Sequence, residues 1–178
     1  MKNRNKGFIL LMTLCAVLVI SALLITCLHH ILIYRKALNK QESQHQNFYQ
    51  LEDIAKRLAQ IPSVTTNRSC VATQDVANET VQWLIKGRGC LLTVSQTQYR
   101  YIIEDLGDFP CLILHNKQQK RATHHIRVSV LLLANEEHQS SLLQLRFIKP
   151  ALTENCMGEE HVVNEGISSW RYLATLNL

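Results

Sequence analysis

Lys2-Asn3-Arg4-Asn5-Lys6-Gly7-Phe8 opens the chain, and the run from Phe8 to Leu28 carries no charge, its only hydroxyls being those of Thr13, Ser21 and Thr26. A helix crosses a bilayer with about 20 apolar residues, so this run is long enough to span one. A secretory signal has a shorter apolar core, about 7–15 residues, and then a small-residue cleavage site. Here the run passes into Cys27-Leu28-His29-His30-Ile31-Leu32-Ile33 with no A-x-A pattern. A lipoprotein signal needs small residues just before its cysteine, and Leu24-Ile25-Thr26-Cys27 does not supply them. A plain signal anchor fits. Lys2, Arg4 and Lys6 favour a cytoplasmic N-terminus, while Arg35, Lys36 and Lys40 beyond the run blunt that asymmetry.

The pattern continues past the apolar run. From Arg35 to Gln46 the chain turns polar, and then Phe48, Leu51, Ile54, Leu58 and Ile61 recur at steps of three and four. That spacing draws one apolar stripe along a helix. Glu52, Asp53, Lys56, Arg57 and Gln60 fill the opposite face. Neither glycine nor proline interrupts from Phe8 to Ile61, and Pro62 cannot continue the helix. A helix of that span is about 80 Å long at 1.5 Å per residue. One half suits lipid or a bundle of like helices; the other suits docking on a domain. A membrane helix followed by a separate stalk helix would have nearly the same sequence.

The remainder, residues 62–178, is long enough for one domain and no more. Ser63 to Ser69 is turn-rich, Asp75–Lys86 reads as a short helix or strand, and Gly87-Arg88-Gly89 as a turn. The β pattern then strengthens, over Cys90–Val94, Tyr99–Glu104, Cys111–His115, Ile126–Ala134, Leu142–Ile148 and Tyr172–Leu176. Val128, Val130 and Leu132 alternate with Arg127, Ser129 and Leu131, the mark of a strand with one buried face. Gly107-Asp108-Phe109-Pro110, 116–123 and 135–140 read as turns between strands. A helix followed by consecutive strands gives an α+β fold with an antiparallel sheet, covered by the stripe of residues 48–61.

Cys15 and Cys27 lie in the apolar run and serve there as small hydrophobic residues. Cys70, Cys90, Cys111 and Cys156 all fall in the downstream domain. An even number in an exported domain suggests two disulfides, with three possible connectivities. Cys70–Cys90 closes a loop of about 20 residues and Cys111–Cys156 one of about 45, each able to stabilise by about 3–4 kcal/mol. The spacings contain no C-x2-C and no finger-like histidine, which argues against zinc.

No catalytic signature stands out, so the chain reads as a non-enzyme without cofactor. There is no G-x-S-x-G, no phosphate-binding glycine loop and no H-E-x-x-H. The net charge of +5 is modest. Lys117, Lys120, Arg121, His124, His125 and Arg127 form one basic cluster in an expected hairpin loop. A solvated loop accounts for it, and a contact with nucleic acid or another acidic surface is the sharper reading. Without interleaved aromatics such a contact would rest on backbone electrostatics.

Lys6-Gly7-Phe8 ahead of the apolar helix resembles the class III signal of type IV prepilins. With Tyr101-Ile102-Ile103-Glu104-Asp105-Leu106-Gly107 and Ser168-Ser169-Trp170-Arg171, the chain is most similar to the PilX-type minor pilins. The resemblance implies a leader, 1–7, cut by a prepilin peptidase between Gly7 and Phe8, with Phe8 then N-methylated. It implies a transmembrane and assembly helix over 8–33, an amphipathic continuation over 34–61 and a periplasmic pilin-like domain over 62–178. The implied location is the inner membrane of a Gram-negative bacterium, N-terminus cytoplasmic before cleavage, with the pilus tip as a further one. The implied partners are other minor pilins, the pilus assembly platform and inner-membrane lipid. One position departs from the family: major pilins carry a glutamate at the fifth mature residue, understood to pair with a neighbouring subunit's free amine, and here Met12 stands there. That loss is similar to minor subunits thought to sit at the filament tip. The competing reading is an uncleaved single-pass membrane protein whose periplasmic domain binds a ligand or partner.

Overall fold

Helix α1 (Lys6–Gln60) takes in both halves of the N-terminal pattern. The computed structural model describes residues 6–61, 70–72, 76–116, 119–134, 139–151 and 156–174. Most of the leader and the turn-rich opening 62–69 lie outside them. After α1 come β1 (Val71–Ala72), α2 (Ala77–Ile85), β2 (Cys90–Val94), β3 (Thr97–Asn116), β4 (Gln119–Leu132), β5 (Ser141–Pro150), β6 (His161–Val163) and β7 (Gly166–Leu173). The chain divides into two compact units, 1–43 and 44–178.

In the first unit every described side chain from Leu10 to Lys40 is exposed. The helix is long and apolar enough to cross a membrane. The three hydroxyls of its uncharged run, Phe8 to Leu28, turn inward on their own backbone: Thr13 donates to the Leu10 carbonyl, Ser21 to Val17 and Thr26 to Leu23. Such back-bonding leaves no hydroxyl unpaired in an apolar surrounding.

In the second unit the last turns of α1 lie on a sheet that has seven strands among the described residues, ordered β1-β3-β4-β5-β7, with β2 and β6 also pairing with β3. Leu51, Ile54, Ala55, Leu58 and Ala59 are buried against Ile103, Ile126, Val128, Val130, Leu143, Leu145 and Phe147. Phe48 packs on this core half-buried, whereas Ile61, at the far end of the stripe, is exposed. Glu52–Lys56 and Asp53–Arg57 ion pairs run along the open face of the helix. Lys149 of β5 donates to the Ala59 carbonyl in the last turn of α1, where carbonyls lack intrahelical donors, and burial pushes the pKa of its ammonium down. On the sheet's other face, α2 buries Val81 and Leu84 against Ile102, Leu131 and Leu142.

The sheet is mixed, which corrects the expected antiparallel one. The pairs β2·β3, β3·β4, β4·β5 and β5·β7 are antiparallel, but the short β1 and β6 run parallel to β3. Each short strand comes soon after a disulfide cysteine: Cys70, bonded to Cys90 of β2, immediately precedes β1, and Cys156, bonded to Cys111 of β3, lies five residues before the start of β6. The bridge fixes where the strand enters the sheet, and the pairing of two or three residues follows.

Two turn expectations are also corrected. Gly107-Asp108-Phe109-Pro110 does not reverse the chain; β3 runs through it, with register shifts between Asp105 and Gly107 and between Phe109 and Ile113. Gly107, at φ +83°, absorbs the first shift, its N–H donating to the Asp105 carboxylate at 2.9 Å. An extra residue in one strand of a ladder bends it without ending it. The expected loop over 116–123 shrinks to the step between paired Asn116 and Gln119, so β4 begins seven residues before Ile126. The turn at Gly87-Arg88-Gly89 is present, and Gly89 is required there: at φ +104°, a Cβ would lie 2.8 Å from the Tyr101 carbonyl oxygen.

Candidate functional site

Of the residues singled out from the sequence, Gly7, Phe8 and Met12 lie in α1, with Phe8 and Met12 exposed. The two disulfides are Cys70–Cys90 and Cys111–Cys156, with Cα separations of 5.3 and 4.8 Å. Cys15 and Cys27 are free and exposed on α1.

The described members of the basic cluster are spread along β4. Lys117 lies outside the described residues, Lys120 belongs to β4, and Arg121 is exposed. Arg127 sits further along β4, where it meets the buried Glu104 of β3, its partner in register. Its Nε and Nη2 donate to the two carboxylate oxygens at 2.7 and 2.6 Å, and the Thr80 hydroxyl of α2 adds a third bond at 2.7 Å. His124 lies between two aspartates, 2.7 Å from Asp108 and 3.4 Å from Asp105.

His125, its neighbour, points to the other face and is buried. Its Nδ1 accepts from Arg146, 2.6 Å from Nη2, and its Nε2 lies 3.0 Å from the Thr123 hydroxyl. The imidazole packs against the Phe109 ring at 4.4 Å, and the Arg146 guanidinium lies over that same ring at 5.5 Å. Burial, then the Arg146 charge, then His124, hold the His125 pKa below the ordinary value. The neutral ring is what an arginine donor at Nδ1 requires.

Thus the face of the sheet beyond α2 carries a polar line across four strands. Glu104 meets Arg127, Arg127 lies opposite Arg146, and Arg146 lies opposite Ser169. One step along, Gln144 bonds Ser129 and the Ala77 carbonyl, and Arg171 of β7 donates to Asn78. Sequence patterning marks these positions only as the polar half of each strand; the partners lie 15 to 93 residues apart. The arrangement is one of interlocking and charge presentation. Among the described residues no cluster of three His, Cys, Asp or Glu side chains is placed to hold a metal.

The opposite face of β7 is aromatic. Trp170 and Tyr172 lie edge-on to Phe48 of α1 at 6.0 and 5.4 Å, and Tyr49 touches Phe48 at 5.7 Å. Tyr172 donates to the Gln44 carbonyl, so β7 and the helix are joined here by polar as well as apolar contact. The resemblance drew on Trp170 and Arg171; the structure sets them on opposite faces of one strand at the end of the sheet. Comparison of the chain with protein-family models, with curated proteins and with solved structures gives no match.

Proposed function

We propose that the chain is a minor pilin-like structural subunit of the PilX type, one that helps initiate or prime type IV pilus assembly from the inner membrane. The observation that carries the reading is the order of features along the chain: a basic segment and Gly7-Phe8 in the sequence, then in α1 an apolar length exposed on every side and a stripe buried on a sheet. A helix apolar all round needs lipid or other apolar helices about it. An assembly helix that passes from membrane into filament uses both surroundings in turn. Two disulfides in the second unit suit an oxidising compartment such as the periplasm. Met12 offers packing but no carboxylate to a neighbour's amine, which favours a scarce initiating or tip subunit over one repeated along the fibre.

In this reading the partners are other minor pilins, the assembly platform and, at processing, the prepilin peptidase. The role is structural rather than catalytic. Intact-mass analysis of protein from its own host is expected to give a mature N-terminus at methylated Phe8. Gly7→Leu is expected to retain the leader. An uncleaved wild-type chain in cells with active prepilin peptidase overturns the proposal and leaves the single-pass protein with a partner-binding domain.

A further inference from the structure

Strand β7 closes one side of the sheet: among the described residues it pairs with β5 alone. An unpaired strand edge presents a row of backbone donors and acceptors, and proteins shield such edges with proline, inward charge or shortness. β7 has eight residues and no proline. On its α1 side Ile167 and Trp170 are 42 % and 67 % exposed, and Phe48 buttresses the indole. Its other side is cationic. Arg171 is exposed and bonded to the neutral Asn78 amide oxygen at 2.6 Å. Arg146, one strand in, is directed at the neutral His125 and the Phe109 ring. Neither guanidinium meets a carboxylate among the described residues, in contrast to Arg127, which has Glu104.

We propose that the free edge of β7 receives an extended segment of a partner protein, whose side chains alternate between apolar residues toward Trp170 and acidic residues toward Arg171 and Arg146. Strand addition supplies affinity through the main chain and specificity through alternate side chains. Strands in a sheet lie about 4.8 Å apart, so an added strand sits beside Arg171 and about 10 Å from β5, within the combined reach of Arg146 and a glutamate. A second copy of the chain is a poorer occupant. Pairing β7 antiparallel with itself sets Arg171 and Ser169 against the same two residue types and brings no acid to the cationic side. The proposal goes beyond the pilin reading and holds whether or not the leader is removed.

The test uses the full chain in detergent micelles and a blocked peptide of about eight residues, alternating Glu with Val and Tyr, against the same peptide with Lys for Glu. The Glu peptide is expected to bind at least about tenfold more tightly and to slow amide exchange across residues 166–173. Arg171→Glu is expected to reverse that preference, and Trp170→Ala to weaken both peptides. Should Arg171→Glu fail to fold, Arg171→Gln is expected to cut the preference about threefold. Equal binding of the two peptides, protection confined to other strands, no binding of the Glu peptide, or self-association through β7 in its place overturns the proposal.

Discussion

Glu104 is wholly out of solvent, and its carboxylate is met there by the Arg127 fork and the Thr80 hydroxyl. Removing one partner of such a pair leaves an uncompensated buried charge, at a cost of about 3–5 kcal/mol. Arg127→Ala is expected to destabilise the full chain by that amount, read from denaturant unfolding followed by near-UV circular dichroism. Replacing Glu104 and Arg127 together by leucine is expected to recover most of the loss, since no charge is then stranded. His125 makes a second prediction. Its folded-state pKa lies below the ordinary value of about 6.5, so on acidification the unfolded chain takes up the proton first. Its neutral form is undisturbed above about pH 6.5, and stability falls as pH drops through the window below that. Melting temperatures measured from neutral pH downward are expected to fall more steeply for the wild type than for His125→Gln. Neither pair was legible in the chain: Arg127 and His125 read as members of one basic loop, because strand alternation tells which face a residue takes but not what stands opposite.

The stripe on α1 was legible because a helix pattern needs only local spacing. Phe48, Leu51, Ile54 and Leu58 mark the buried face correctly, Ala55 and Ala59 broaden it, and only Ile61 at its end is exposed. Leu51→Ala is expected to cost about 2–5 kcal/mol, the range for emptying a packed core position. Ile61→Ala is expected to stay within about 0.5 kcal/mol, and the difference between the two midpoints checks the assignment. Strand boundaries were harder. The alternation in β4 and β5 is local and readable, whereas in β3 glycine and proline, ordinary turn residues, serve as bulge residues in an unbroken strand of 20 residues. The hairpin from β2 to β3 hides for the opposite reason, since Ser95 and Gln96 take positive φ without a glycine to announce it. The short β1 and β6 carry no periodicity and depend on long-range pairing with β3.

At the scale of the whole molecule, an α+β domain preceded by a helix apolar enough to cross a membrane follows from composition and period alone. The parallel additions to the sheet do not, because disulfides between distant cysteines decide them. The exposed apolar length of α1 gives the last prediction: the full chain is expected to stay in the membrane pellet after alkaline washing, and removal of residues 8–33 to release it, read by immunoblot of the two fractions. One further consequence belongs to the Lys149 bond to Ala59. In mechanical terms it makes the end of α1 a joint. Tension on the helix passes through the buried stripe and this tether into β5, a strand with neighbours on both sides. The load is then shared in shear across the sheet, and many contacts must yield together before the helix can be drawn away from its domain.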